Sequence, residues 1–482
     1  MAEILELLKN RTEEDRTRLL TPEQRQAWDS TCIDIDGQTV PRHLDRPSAG
    51  FAVPIWQGDI VIASLGLYLL LSRLRQTDDK KLSEAVSQAA RAISKCEQKE
   101  AYMQETMSGK ERILAAMSGQ IPDRVPVQLG ITNMFSVYQQ GLVGWDVYAY
   151  HKQPMWRVVA DTQRRFGLDG YLYLRPAVIR RPGDPPRKTT LTRLNENKLE
   201  RRTVIHTPEG DLTSAETIMK NESPTVTEGL IKSERDFALW LKYGFPDDTD
   251  YDLASISEPI AYMGHNGTCA GSASIPGLHA LTDLFQGRLA AATYFITDYP
   301  DYLDLYREKA ERHLLRAVEQ VIDAGVDYIE LSGSGMLTLS TPDLFRQLCL
   351  PFIRKAAAIC SQAGILVEVH CCGKARLVVE DLYRETAVNS VNPLQPPPMG
   401  DCDLAKIKQS FGDRLCLKGN VGVTHPLLFG TPDDVERDVL RCLEAAKAGG
   451  RFILFSEEGI GALTSAENVT RYVAAAKAYG AY

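Results

Sequence analysis

The sequence predicts a (β/α)8 TIM barrel with an N-terminal helical extension and a β-hairpin insertion. Three observations predict it. From Val125 onward, eight short β-rich runs alternate with amphipathic helical stretches, the pattern of a parallel sheet wrapped by helices. Polar, chemistry-bearing residues collect at the C-terminal ends of those runs, where the mouth of such a barrel forms. The 482 residues also exceed the ~250 that a minimal barrel needs, which leaves room for additions.

In chain order, residues 1 to 105 read as an N-terminal helical module. Ile4 to Leu8, Ile60 to Leu74 and Ala85 to Cys96 carry helix-compatible apolar positions, separated by the Gly/Pro-containing stretch Asp36 to Gly58. The barrel occupies 106 to 482. It opens at Met107 to Ala116, where Ser108 as N-cap and Glu111 three residues on have capping-box spacing. The eight strand runs are Val125 to Leu129, Gly170 to Leu174, Ile260 to Gly264, Tyr328 to Leu331, Leu366 to His370, Val388 to Asn392, Leu415 to Gly419 and Phe452 to Phe455. Between the second and third lies a polar insertion, about 180 to 222. There Arg202 to His206, a Thr-Pro-Glu-Gly turn and Asp211 to Ile218 read as an antiparallel hairpin.

Composition narrows the function classes. Hydrophobic residues at 44% and charged residues at 24% exclude a fibrous or mainly disordered chain. With 55 Lys+Arg against 63 Asp+Glu, the net charge of -8 supplies no positive field to gather phosphate backbones, so no nucleic-acid partner is expected. The longest apolar run, Ile60 to Leu71, is 12 residues, short of the ~20 that a spanning helix needs, and reads as a buried helix. No membrane partner is expected. The first residues carry no basic segment followed by an apolar one, so a cytoplasmic location is expected. Ten cysteines are too few for a disulfide scaffold in so long a chain, and most should be small buried hydrophobes.

One cysteine cluster says more. His370 and Cys372 lie two apart at a strand end, so an imidazole and a thiol share one face and point into one cavity, a bidentate start for zinc. Cys371 faces the helical layer. A catalytic zinc takes three protein ligands, and the acidic candidates at other strand ends are Glu457, Glu458 and Glu330. Glu330 is also a candidate catalytic group. Asn392, Gln395 and Asn420 at strand ends, Asn133 after the first strand and His265 after the presumed third are candidate substrate-binding residues. His279 falls in a Pro/Gly-bounded loop and carries little weight.

The segments MSGKERILAAMSGQIPDRVPV, TPDLF, HCCGK, VNSVNPLQ, FGDRLCLKGNVGV, LLFGTPDDVERDV and ENVTRYVAAAKAYG together resemble the uroporphyrinogen decarboxylase superfamily over about 107 to 482. The resemblance implies a (β/α)8 barrel and one of two activities, decarboxylation of tetrapyrroles or zinc-dependent methyl transfer with corrinoid proteins. The decarboxylase branch grips carboxylates with an arginine-rich segment after the first strand. Here that segment, Gln128 to Met134, has no Arg or Lys. The methyltransferase branch carries His-x-Cys, matched by His370 and Cys372, and a third cysteine ligand after the last strand. This chain has Glu457 and Glu458 there instead.

Exchanging a thiolate for a carboxylate makes a harder Lewis acid, suited to an oxygen leaving group such as that of a methyl ether. The resemblance therefore implies transfer of a methyl group from a methylated small molecule to the cobalt of a partner corrinoid protein, because no Asp-x-His-x-x-Gly corrinoid signature occurs in this chain. The alternatives are corrinoid-to-thiol transfer, a decarboxylase of altered substrate, and a non-catalytic corrinoid-binding protein. The N-terminal module is a candidate docking or homodimerisation surface.

Overall fold

The computed structural model describes residues 105–245 and 249–482 and, before them, the backbone of two strands, β1 (Ser48–Gln57) and β2 (Ile60–Leu70). These two pair antiparallel, with a register shift between Ile55 and Trp56. This corrects the expected helix from Ile60. An apolar run interrupted only by Ser64 and Gly66 has no clear period to separate a buried helix from a strand, and here it finds a partner strand in the Pro/Gly-containing stretch before it. The other helical readings of the module, Ile4 to Leu8 and Ala85 to Cys96, lie outside the described residues. The chain divides into two compact units, Met1–Gln104 and Glu105–Tyr482.

The second unit follows the barrel plan. Its strands in order are β3 (Gly170–Leu174), β4 (Ala177–Ile179), β5 (Arg187–Asn195), β6 (Lys198–Thr207), β7 (Gly210–Met219), β8 (Thr225–Glu228), β9 (Asp250–Asp252), β10 (Gly267–Ser274), β11 (Tyr328–Ser332), β12 (Leu366–His370), β13 (Ser390–Asn392), β14 (Cys416–Val421) and β15 (Phe452–Ser456). Seven of them form one parallel sheet, in the order β15-β14-β13-β12-β11-β10-β3.

The eighth position, Val125 to Leu129, contributes a bridge rather than a ladder. Val127 pairs with Leu454 of β15, and on the other side the Asp169 N–H donates to the Val127 carbonyl at 2.9 Å, just before β3. Pro126 has no N–H to give, and the Val127 N–H is taken by the Asp169 carboxylate at 2.7 Å. The ring therefore closes through a segment too short of free donors to extend as a regular strand.

The third barrel strand differs from expectation. Ile260 to Gly264 falls on the helix Ser257–Met263 and the turn after it; the strand is β10, GTCAGSAS. Small residues are required there because a Cβ at Gly271 would lie 2.2 Å from Val321 of the helix Pro300–Ile322, and one at Gly267 would lie 1.9 Å from the Gly170 carbonyl oxygen. A strand of small residues gives no hydrophobic pattern to read.

The insertion is larger than a hairpin. The β6–β7 pair turns at Thr207–Gly210 as expected, and β5 and β8 extend it to a four-stranded antiparallel sheet.

At the bottom of the barrel the helix Gly109–Ser118 starts with the expected capping box, Ser108 with Glu111. Its Ile113, Ala116 and Met117 pack on Ala270, Tyr328, Cys416 and Ile453 and close that end. Arg112 and Arg124, both buried, are held there by Asp123, Asp169 and Glu105. Among the described residues no helix is long and apolar enough to cross a membrane.

Candidate metal centre

Inward-facing residues alternate along each strand, so the polar side chains form layers inside the barrel. In the register of the sheet, Ser272, Glu330, Glu368 and Ser390 lie side by side in one layer; Ser332, His370 and Asn392 form the next one toward the mouth. His370 is the last residue of β12. Beyond it the chain is tied down by backbone bonds, the Cys371 N–H to the Asn392 carbonyl at 2.7 Å and the Gly335 N–H to the Cys372 carbonyl at 3.3 Å. The Gly373 amide donates to Gln395 Oε1, Lys374 N–H to Thr338 Oγ1 at 2.9 Å, and Ala375 N–H to Asp401 Oδ1 at 2.8 Å.

This clamped loop brings three donors together. One ligand atom from each of His370, Cys372 and Glu458 falls within 4.8 Å of the others, and all three residues are half-buried. A zinc ion about 2.0–2.3 Å from each donor needs them at most roughly 4 Å apart, so the set is close to a ligating arrangement. A neutral imidazole, a thiolate and a carboxylate would also balance the charge of a divalent ion. His370 Nδ1 lies 2.7 Å from Asn392 Oδ1, which fixes that nitrogen as the donor and frees Nε2 for a metal. Nε2 rests 3.2 Å from Ser334 Oγ, a hydroxyl that an arriving ion would displace.

The electrostatics agree with a site built for a cation. Burial alone would lower the His370 pKa, but the Cys372 contact and the charges of Glu330 and Glu458 outweigh it and raise it to about 9. Glu330, almost fully buried, is pushed above the ordinary carboxylate range by desolvation despite the pull of His370 and the 2.6 Å bond from Ser272 Oγ. It stands beside the ligand cluster and outside it.

The remaining expectations divide. Glu457, one of the two acidic candidates at the last strand, is turned away: its Oε1 accepts from the Val423 N–H at 3.0 Å, and Glu458 alone joins the cluster. Asn392 is brought to the site, where its buried Nδ2 has no hydrogen-bond partner among the described residues. Gln395 supports the loop backbone at Gly373. Asn420 is fully engaged, donating to the Leu394 carbonyl at 2.7 Å and accepting from Arg441 at 3.2 Å. Asn133 is exposed on the first residue of the helix Asn133–Gln139, on the mouth side. His265 is a correction. It precedes β10 and so lies at the opposite, N-terminal end of the barrel, a direct result of the misplaced third strand.

Several residues escaped the sequence reading. In the layer below the cluster, fully buried Lys418 and Glu368 form an ion pair at 3.3 Å. The Tyr173 hydroxyl donates to Glu368 at 2.8 Å and accepts from Lys418 at 3.2 Å. Lys418 Nζ also lies 4.6 Å from the ring centroids of both Tyr171 and Phe455. Tyr173 keeps 36% of its surface exposed, so this layer faces an open cavity. The alternation Tyr171, Tyr173, Arg175 in β3 and after it was the available signal. His279 carries both ring nitrogens buried without a hydrogen-bond partner among the described residues, and burial drives its imidazole down to about 4, with His370 adding to the effect.

Known proteins share this frame. Residues 281–479 match the family model for uroporphyrinogen decarboxylase (URO-D). Uroporphyrinogen decarboxylases of Chlorobaculum parvum and Chlorobaculum tepidum are 28% and 27% identical over 150 residues, 29% of this chain and 40% of each relative. The chain thus matches less than half the length of these relatives. A methyltransferase from Methanosarcina mazei superposes with a TM-score of 0.51 at 20% identity, covering 77% of this chain and 98% of the other, and so shares the fold. The family-model match and the curated relatives thus show that the C-terminal part of this barrel, residues 281–479, is similar to uroporphyrinogen decarboxylases.

Proposed function

We propose that this chain is a methyltransferase that moves a methyl group from a methylated small molecule, an aromatic methyl ether being the favoured donor, to the cobalt of a partner corrinoid protein. The observation that carries the reading is the convergence of His370, Cys372 and Glu458 at the C-terminal end of a (β/α)8 barrel. Zinc is the ion this N, S, O donor set suits, and when bound it would act as a Lewis acid toward the donor's oxygen. The carboxylate in place of a third thiolate favours an oxygen rather than a sulfur leaving group, which separates this reading from thiol methylation.

The chain's own residues supply the rest. Asn392 holds the His370 ring in one tautomer. The Gln395, Thr338 and Asp401 bonds keep the ligand loop rigid. At the cavity floor, the Tyr173 hydroxyl donates to Glu368 and accepts from Lys418, so these three residues form a fixed polar surface in the layer below the ligands.

Elemental analysis of the purified protein beside Cys372→Ser and Glu458→Gln tests the reading. About one zinc per chain, lost in both variants, supports it. Loss of the Co(I) absorbance of a reduced corrinoid protein on adding a methyl ether, by wild type and not by His370→Ala, completes the test. Absence of zinc from protein never exposed to chelator overturns the metal-assisted mechanism.

A further inference from the structure

The insertion sheet carries a feature that methyl transfer does not use. A cavity of about 520 Å³ lies between strands β5 to β8 and the helix Glu234–Tyr243. That volume falls in the range of small-molecule sites, about 300–1,000 Å³. Its walls are apolar, with Ile205, Leu212 and Trp240, while Arg180, Arg187 and Arg201 line it from the sheet side.

The charges there do not balance. Arg201 pairs with Glu216 at 3.1 Å, and Asp283, the other acidic wall residue, is taken by Arg288 at 3.2 Å. Elsewhere in the insertion, Arg181 pairs with Asp250, Arg202 with Glu228 at 2.7 Å, and Arg193 donates to the Asn195 carbonyl at 3.1 Å. Arg180 and Arg187 alone among these arginines have no hydrogen-bond or ion-pair partner among the described residues. Asp184 lies near enough to act on Arg187, yet one of its oxygens already accepts from the Arg181 N–H at 2.9 Å. Desolvation and the neighbouring Arg180 both lower the Arg187 pKa. Two exposed guanidinium groups, with Asp184 as the carboxylate acting on Arg187, thus line one side of an apolar pocket and hold more positive than negative charge there.

We infer that this cavity binds a small organic anion, an aromatic carboxylate or sulfonate whose acid group sits between Arg180 and Arg187 and whose ring packs on Trp240. Guanidinium forks match such oxyanions bidentately, and an indole face suits a flat apolar body. None of the metal-centre residues lines the cavity. The insertion leaves the barrel after the C-terminal end of β3, on the mouth side, so occupancy stiffens a segment beside the catalytic opening.

The probe is 1-anilinonaphthalene-8-sulfonate, titrated by fluorescence into the full chain and compared with N-phenyl-1-naphthylamine, which lacks the sulfonate. One saturable site per chain is expected, weakened at least about tenfold in the Arg180→Gln/Arg187→Gln double variant and by loss of the sulfonate, and unchanged in His370→Ala. Raising the salt concentration should also weaken it. Equal affinity for the neutral probe, or undiminished affinity in the double variant, overturns the proposal. The comparison of the two probes on wild type decides the matter even if the variant fails to fold.

Discussion

The two ends of the barrel both bury charge, and they treat it in opposite ways. At the bottom, Asp169 receives Arg112 at 2.6 Å, Arg124 at 2.7 Å and the Val127 N–H at 2.7 Å. Asp123 takes Arg112 through both oxygens, at 2.6 and 2.9 Å. Each of these four charged side chains has its complement. At the mouth, Glu458, Cys372 and Glu330 crowd one histidine, and the buried Asn392 Nδ2 has no partner among the described residues. Burial of charge therefore does not by itself mark a functional site. The mark is buried polarity whose partners are missing.

That contrast can be broken by experiment. The largest effect belongs to the mouth: His370→Ala and Glu458→Gln should remove bound zinc and methyl transfer together, while unfolding free energy measured without metal falls by only about 1–3 kcal/mol in His370→Ala, which strands the buried Asn392 Oδ1, and by less in Glu458→Gln. A large loss of stability in both would show that the mouth is a structural cluster like the bottom.

Asp169→Ala should do the reverse. Leaving Arg112 and Arg124 buried without it costs about 3–5 kcal/mol by denaturant titration, with activity per folded chain unchanged. Asn392→Ala comes next. Releasing the His370 ring should weaken metal affinity about 10–100-fold, read by competition with a chromophoric chelator, and restoration by Gln would separate positioning from a purely structural role.

The smallest effect is one of pH. Burial would raise the Asp123 pKa, but the Arg112 bond and two backbone N–H groups lower it from 3.8 to about 2. Because the folded value lies below the unfolded one, its stabilisation is fully present above pH 3.8 and fades as pH falls through 2. Melting temperatures of wild type and Asp123→Asn should therefore converge over that window, and a constant difference would refute the assignment.

Much of this was legible in the residues, for reasons that also explain what was not. His370 and Cys372 could be paired because strand alternation and the strand-end rule are both local. Glu457 and Glu458 could not be told apart, because the pleat ends at Ser456 and the loop geometry decides which one turns inward. The third strand was hidden because packing against the helix Pro300–Ile322 demands glycine, alanine and serine, and His265 was misplaced with it. Asn420 looked available because its partner Arg441 arrives from a helix 21 residues later. The Lys418–Glu368 pair joins residues 50 positions apart, and only the closed ring brings them together.

The bonds that fasten the ligand loop have a consequence for the history and the engineering of the site. The backbone amides of Gly373, Ala375 and Arg376 are held by side chains of Gln395 and Asp401, which belong to the following strand's loop. Segments 370–376 and 392–401 are therefore mechanically one unit. A chimaera that exchanges the first without the second should lose its register at Gly373, and variation between homologues should appear in the two segments jointly or in neither.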